Sequence, residues 1–467
     1  MISEKDLKRR EKILNGNLVM TIISICAPIF LYNLFNSFYA IIDAVVVSKI
    51  NSTSVSAVSS LSQIQHLLSS LGSGLAAGGG ILVARQFGAG DMDKARFYSN
   101  QTVSLSNIII AILLGVCIPW ALPIMKISGV PDEFISIGTG YFIVQIITLA
   151  FMFYNSVFMA MQKAKGNTRI MFVLNIGAMI IKLSLSVLFI WGLEFKNIVW
   201  VAISTLIGQM MMFVVLLIMM LQKDNVFIIK VQEFKLSAVE CRKILSMSLP
   251  IFLGKFIFSF GKVSINAMCK NYGPLVVGAL GVSNNINGMV TTPINSFEEG
   301  TSTIISQNIG AKNTSRAIKT FKYSFLMATT LGIVGYILVR FICQDAIINL
   351  YNQNSQAEDT ALFLSLIKSI HRYDSLSILA LAVNSAVLGV LYGFGQTKMT
   401  MVLNISRVFV FRIPVLWYLQ NFHPEIGAEA AGISMGISNI CIAIASLTCL
   451  GIFLLRLKKK GYDNMTT

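Results

Sequence analysis

Residues 24–43 read SICAPIFLYNLFNSFYAIID, and much of this stretch returns 222 residues later as SMSLPIFLGKFIFSFGKVSI, residues 246–265. Between 24–38 and 246–260, seven of fifteen positions are identical. The first copy is long, apolar and broken by Pro28. An apolar stretch of about 20 residues is long enough to cross a bilayer, and in hydrocarbon a helix satisfies all of its own backbone groups. A chain that duplicates such an element is expected to be a membrane protein with an internal repeat, as many secondary transporters are.

The rest of the sequence extends this expectation. The 467 residues are 55% hydrophobic and 12% charged, against about 25% charged in soluble domains. Twelve spans are expected, near 18–48, 53–84, 98–124, 136–162, 169–193, 197–221, 244–269, 275–307, 320–344, 359–391, 399–420 and 427–455. The first apolar run is too long for a cleavable signal peptide. The net charge of +16 follows topology and not nucleic acid, because the charges lie in short loops. With the N-terminus inside, the leader, the even-to-odd loops and the tail hold 25 of the 37 basic residues. That bias predicts a multi-pass protein of the cell membrane with both termini cytoplasmic.

Two further echoes set the repeat. Gly88-Ala89 pairs with Gly310-Ala311 at the same offset, and 155–176 pairs with 384–405 at an offset of 229, with eight of 22 positions identical. The predicted organisation is a basic leader (1–17), an N-lobe of helices 1–6 (18–221), a cytoplasmic linker (222–243), a C-lobe of helices 7–12 (244–455) and a tail (456–467). Six spans per copy give both halves the same orientation. The fold class expected is therefore an all-α integral membrane protein with twelve transmembrane helices in two six-helix lobes. A pseudo-two-fold axis along the membrane normal relates them, and the pathway lies between.

Ionisable residues inside apolar spans are costly and mark function. Asn33, Asn36 and Asp43 share one face of the first span. Lys182 lies in the middle of span five with Ser186 one turn further on, which predicts a polar lining. Lys255 and Lys262, seven apart with Ser259 between, share a face of span seven. Glu298 and Glu299 follow Pro293 in span eight where the first copy has Ala76 and Ala77. They are candidates to bind a cationic substrate or to neutralise a lysine. Asp374, with Arg372 and His371, begins the deeper part of span ten; a local structural network is the first reading there, and Asp374 also joins the substrate candidates. Arg407 and Arg412 read as partners of acids or carbonyls. The seven cysteines are scattered without C-x-x-C, so neither disulfides nor a metal site is expected. GAGDMDKAR lacks the Gly-Lys-Ser/Thr of a phosphate loop, and no nucleophile motif is present, so an enzyme is not expected.

The helix with Pro28 ending in Asp43, the Gly-Ala loops after spans two and eight, and the Gly-x-Thr-(Arg/Lys) loops after spans four and ten resemble the multidrug and toxic compound extrusion (MATE) family. The resemblance covers essentially the whole chain and lies closer to the DinF-like than to the NorM-like branch. It implies two six-helix lobes in a V and export of amphipathic, often cationic organic compounds in exchange for protons or sodium. Asp43 matches the acidic residue of the first helix in the DinF-like branch. That branch usually carries Asn-x-x-x-Asp in the fifth helix, where alignment on Ile190-Trp191-Gly192 places Lys182 and Ser186 here. An ammonium beside Asp43 would bring the charge a bound sodium ion otherwise supplies, which favours protons as the coupling ion. No other cofactor is expected; the expected partners are a small organic substrate and membrane lipid, with the chain a monomer. A flippase moving a lipid-linked precursor is the alternative.

Overall fold

The computed structural model describes residues 3–48, 52–127, 132–195, 197–230, 234, 236–349 and 357–460; side chains at 40–48, 52–60, 63, 132–134, 136–137, 274, 357–360 and 460 lie outside the description. The described residues are almost entirely helical. A short α1 (Glu4–Asn15) precedes α2 (Leu18–Ser48), α3 (Ser52–Ala89), α4 (Met92–Cys117), α5 (Ala121–Ile127), α6 (Asp132–Ala164), α7 (Thr168–Val187) and α8 (Val199–Leu221). The second copy runs through α9 (Ala238–Cys269), α10 (Pro274–Ile294), α11 (Ser296–Gly310), α12 (Thr314–Ile337), α13 (Gln344–Asn349), α14 (Ala357–Asp374), α15 (Ser377–Gly393), α16 (Thr397–Ser406), α17 (Ile413–Phe422) and α18 (Glu429–Lys460).

Among the described residues, ten helices are long and apolar enough to cross a membrane, or eleven with α14 and α15, bent by 44°, taken as one span. The remaining expected span, the eighth, is α10 with α11. It covers the stretch that lies 222 residues after α3, but Ser283, Asn284, Asn285, Asn287, Asn295, Glu298 and Glu299 make it too polar to count by hydropathy. Pro293 and the step at Asn295 divide it in two.

Packing divides the chain into two compact units. Unit 1 is Met1–Phe256 with Ser306–Ala311, and unit 2 is Ile257–Ile305 with Lys312–Thr467. The division falls inside α9, whereas the repeat puts the joint at the 222–243 linker. Small residues explain the shift. Gly74 and Gly78 of α3 carry no Cβ, so the α9 backbone at Phe252 and Ser248 packs directly on them. A side chain at Gly88 would overlap the carbonyl of Gln307, and one at Gly310 the carbonyl of Arg85, so the last turn of α11 lies against α3 within unit 1. Close backbone approach through small residues is the usual way helices associate without a hydrophobic driving force.

Pro28 was expected to break the first span, yet α2 continues through it. Proline lacks an N–H, so the carbonyl of Ser24, four residues earlier, loses its helical donor. The Thr168 hydroxyl at the start of α7 donates to that carbonyl at 3.3 Å. A neighbouring helix thus re-satisfies the freed group, as lipid requires.

The basic leader and the polar linker are docked on the helices of unit 1. Asp6 of α1 is buried, accepting from Arg9 at 2.7 Å and from Lys165 Nζ at 3.1 Å. Lys165 also donates to Asn225 of the linker at 3.1 Å. Burial pushes the Lys165 ammonium below its ordinary range, and the Asp6 charge pulls it back up. Arg10 Nε and Nη2 donate to the Phe87 and Gly88 carbonyls at 2.8 Å each, capping the end of α3. In the linker, Phe227 is buried against Phe87, and Asn100 bonds both Ile228 O and Lys230 N.

Removing one partner of a buried ion pair costs about 3–5 kcal/mol because the other charge stays uncompensated. We therefore expect Asp6→Asn to free α1, making sites within residues 4–15 rapidly cleavable by protease while unaltered protein resists. Thr168→Val, which keeps the shape and removes the donor to Ser24, is expected to lower the thermal midpoint modestly, by the loss of one interhelical bond of about 0.6 kcal/mol.

Candidate functional site

In unit 1 the candidates lie along the seam of α2 and α7. Contacts advance in register: Ser24 with Thr168, the Phe35 ring 6.3 Å from Phe172, and Lys182 Nζ 4.9 Å from the centre of the Tyr39 ring. The two helices therefore run in the same direction, as two odd-numbered spans should. A cation over an aromatic face is held by the ring quadrupole, worth about 2 kcal/mol when desolvated. Asp43 lies on α2 one turn beyond Tyr39, and its side chain is outside the described residues. Asn33 is half-buried and Asn36 exposed. Ser186 departs from expectation. It is fully buried and shares a 2.6 Å hydrogen bond with Ser204 of α8, so it joins two helices and does not line open space. The 3.6-residue period puts it on the Lys182 face, but the packing of α8 decides which side of that face is covered. Lys255 is half-buried in the part of α9 that belongs to unit 1.

Unit 2 holds a buried polar network. Asp374, expected among the substrate contacts, is enclosed at the bend between α14 and α15. Its carboxylate accepts from Ser283 Oγ at 2.7 Å and from Ser377 Oγ at 3.1 Å, and its backbone carbonyl from Asn287 Nδ2 at 3.0 Å. His371 Nδ1 stands 3.4 Å from the same Ser283 hydroxyl. Ser377 Oγ accepts from Asn439 Nδ2 at 2.7 Å. Asn439 Oδ1 then accepts from two guanidiniums, Arg407 Nε at 2.7 Å and Arg412 Nη2 at 3.1 Å, and Arg412 Nε donates to Ser438 at 3.0 Å. The carboxylate is committed to this network, so in this structure it offers no face to an incoming compound.

The two arginines are five residues apart. In an α-helix that spacing turns them about 140° from one another. Here Arg407–Arg412 is π-helical, with i→i+5 hydrogen bonding, and both reach one amide oxygen. Arg407 also stacks 4.7 Å above the Phe258 ring, and Lys262 Nζ lies 5.0 Å from that same ring. Lys262 itself is exposed. Glu298 and Glu299 are half-buried in the first turn of α11, where the helix dipole favours carboxylates. Glu298 is within electrostatic reach of Arg407 and Tyr392. Sequence reasoning missed Asn439, Ser283, Ser377, Phe258 and Tyr39. For Asn439 a signal existed, as a lone amide in the middle of an apolar span. For the others only packing reveals the role. Among the described residues no cluster of histidine, cysteine or acids has metal-site geometry.

The MatE family model matches residues 28–188 and 250–418, one match in each copy. The chain belongs to the MATE family. Curated relatives agree: the probable multidrug resistance protein YoeA of Bacillus subtilis (strain 168) is 20% identical over 442 residues, covering 93% of each chain. The multidrug export protein MepA of Staphylococcus haemolyticus (strain JCSC1435) is 22% identical over 395 residues, covering 84% of this chain and 85% of its own. Among solved structures, a MATE protein in complex with MaL6 superposes with a TM-score of 0.90 at 18% identity, over 96% of this chain and 99% of that one. A MOP superfamily transporter from Pyrococcus furiosus Vc1 (DSM3638), described as having reversed binding-pocket polarity, gives the same score and identity over 98% and 99%. These likenesses place the chain in the MATE fold, a multi-pass membrane architecture of two lobes.

Asn439→Ala should remove the shared acceptor from two buried guanidiniums and be the most destabilising change in the network, by several kcal/mol. Asn439→Asp keeps an acceptor and adds a counter-charge, and is expected to cost less. Thermal unfolding in detergent compares them; equal midpoints would contradict the network. Ser186→Ala should cost only about 0.6 kcal/mol.

Proposed function

We propose that the chain is a monomeric secondary active antiporter of the cell membrane that exports amphipathic organic compounds by alternating access, with both termini cytoplasmic and protons as the coupling ion. One observation carries the reading. Ionisable groups in both copies are gathered inside membrane helices, where an unpaired charge costs about 2.5–3.5 kcal/mol on insertion scales and persists for transport or structure. Relatives that span the same length are named for multidrug export or resistance, and this supplies the substrate class. None of the relatives reported above is named for moving a lipid-linked precursor.

Asp43 and Lys182 are the coupling pair in this proposal. Lys182 leans over Tyr39, and Asp43 follows one helical turn later on α2. The ammonium takes the part that sodium would play, so a proton arriving at Asp43 releases the tie between α2 and α7. A proton drives such a change only through its different affinity for the two states. Asn33 and Asn36 lie earlier on α2, and the Ser186–Ser204 bond fastens α7 to α8 one turn beyond Lys182. Glu298 and Glu299 are assigned to the cationic end of a substrate, with Lys262 of the same unit beside its path; Asp374, enclosed by its own hydrogen bonds, is left to the structural network. A second reading has support from one geometry: Lys262 and Arg407 converge on Phe258, a platform that suits an aromatic compound bearing an acid.

In vesicles with imposed gradients, a proton gradient is expected to drive export and a sodium gradient at fixed pH to drive none. Asp43→Asn should abolish export and Lys182→Ala should shift its pH dependence. Sodium-driven export by unaltered protein would overturn the coupling assignment. Glu298→Gln and Glu299→Gln are expected to weaken export of cationic dyes more than of neutral ones. Equal losses would assign these acids to folding, and preferred export of anionic dyes would favour the second reading.

A further inference from the structure

Unit 2 carries a pocket of 440 Å³ where the end of the span begun by α12 meets α13, α14 and the start of α18. Three of its lining residues are cationic, Arg340, Lys368 and Arg372, against one acid, Glu429. Lys368 also pairs with Asp345 at 2.8 Å, but it is 52% exposed, so that pair is weak. Ser365, Lys368, Ser369 and Arg372 follow one another at i, i+3, i+4 and i+7, a single stripe of α14 facing the pocket. The Ser365 and Ser369 hydroxyls donate to the Leu362 and Leu366 carbonyls of their own helix, at 2.7 and 3.1 Å. Their oxygens are therefore left as acceptors.

Directly beside Arg340, in the π-helical stretch Leu338–Ile342, Phe341 is 69% and Ile342 65% exposed. On a membrane helix such side chains face acyl chains. The cationic pocket thus opens at the level where hydrocarbon gives way to headgroups. We propose that it holds the headgroup of an anionic, hydroxyl-bearing phospholipid of the phosphatidylglycerol type. The phosphate sits among Arg340, Lys368 and Arg372, since guanidinium forks match phosphate oxygens. The glycerol hydroxyls donate to Ser365, Ser369 and Glu429, and the acyl chains run along Phe341 and Ile342. A free phosphate would use the cations and at most part of the acceptors, and would leave the apolar flank of Phe341 and Ile342 unused. The site is independent of the transport cycle proposed above.

The test is native mass spectrometry of the full chain released from micelles doped with phosphatidylglycerol or phosphatidylcholine. Each basic residue near a membrane surface contributes about 5-fold in affinity for anionic lipid, so neutralising all three should weaken retention roughly 100-fold. The expected results are selective retention of phosphatidylglycerol by unaltered protein, loss in the Arg340→Gln, Lys368→Gln, Arg372→Gln variant, and recovery in the charge-preserving Arg340→Lys, Lys368→Arg, Arg372→Lys variant. Equal retention of both lipids, or undiminished retention by the neutral variant, overturns the proposal. Displacement of the lipid by millimolar inorganic phosphate would reassign the pocket to a free anion and overturns it equally. Retention lost in both variants would mean that charge is not what the site reads, and also overturns it.

Discussion

Arg412 is 1% exposed on a membrane helix, and its charge has to be met inside the protein. It is met indirectly. Asn439 accepts from Arg412 and Arg407 on one side and donates through Ser377 toward Asp374 on the other. An amide is suited to this place because it is donor and acceptor at once. Low dielectric strengthens each link and makes any missing one expensive. The network ties α18 to the π-helical stretch between α16 and α17 and to the bend between α14 and α15. Those are two of the irregular places of unit 2, and there the deviation from α-helix and the buried charges explain one another.

The same demand for internal satisfaction shapes unit 1 in other terms. Pro28 leaves the Ser24 carbonyl without a donor, and Thr168 supplies one. The α3 terminus leaves carbonyls open, and Arg10 of α1 reaches them. Glycines let α3, α9 and the end of α11 come within backbone contact. Since lipid is as apolar as leucine, association rests on such close fit and on polar links.

The two copies have spent their polar residues differently. Unit 1 sets one lysine over a tyrosine beside an acid-bearing helix, with a serine pair fixing the neighbouring helices. Unit 2 gathers two arginines, an aspartate and several amides and hydroxyls, and carries Glu298 and Glu299 where the first copy has alanines. A duplication lets one copy keep a task while the other drifts. This divergence motivates assigning coupling to the first unit and substrate contact to the second.

The amino-acid sequence by itself determined the class of the molecule. Apolar length dictates helices in a membrane, the 222-residue echo dictates two copies, and the ordered motifs place the chain in the MATE family. It also placed ionisable residues inside spans, because a charge in an apolar run is visible without any fold. What it left open was which way each side chain turns. Ser186 and Lys182 share a face by periodicity, yet only packing against α8 buries one and leaves the other over Tyr39. Arg407 and Arg412 look divergent at five residues apart until the π-helix brings them together, and no residue count reveals that change of pitch. In the leader and linker only charge and polarity are legible, whereas Asp6, Lys165 and Asn225 find partners more than fifty residues away. Periodicity is local and partnership is not, so pairing, bending and burial were decided by the tertiary structure alone.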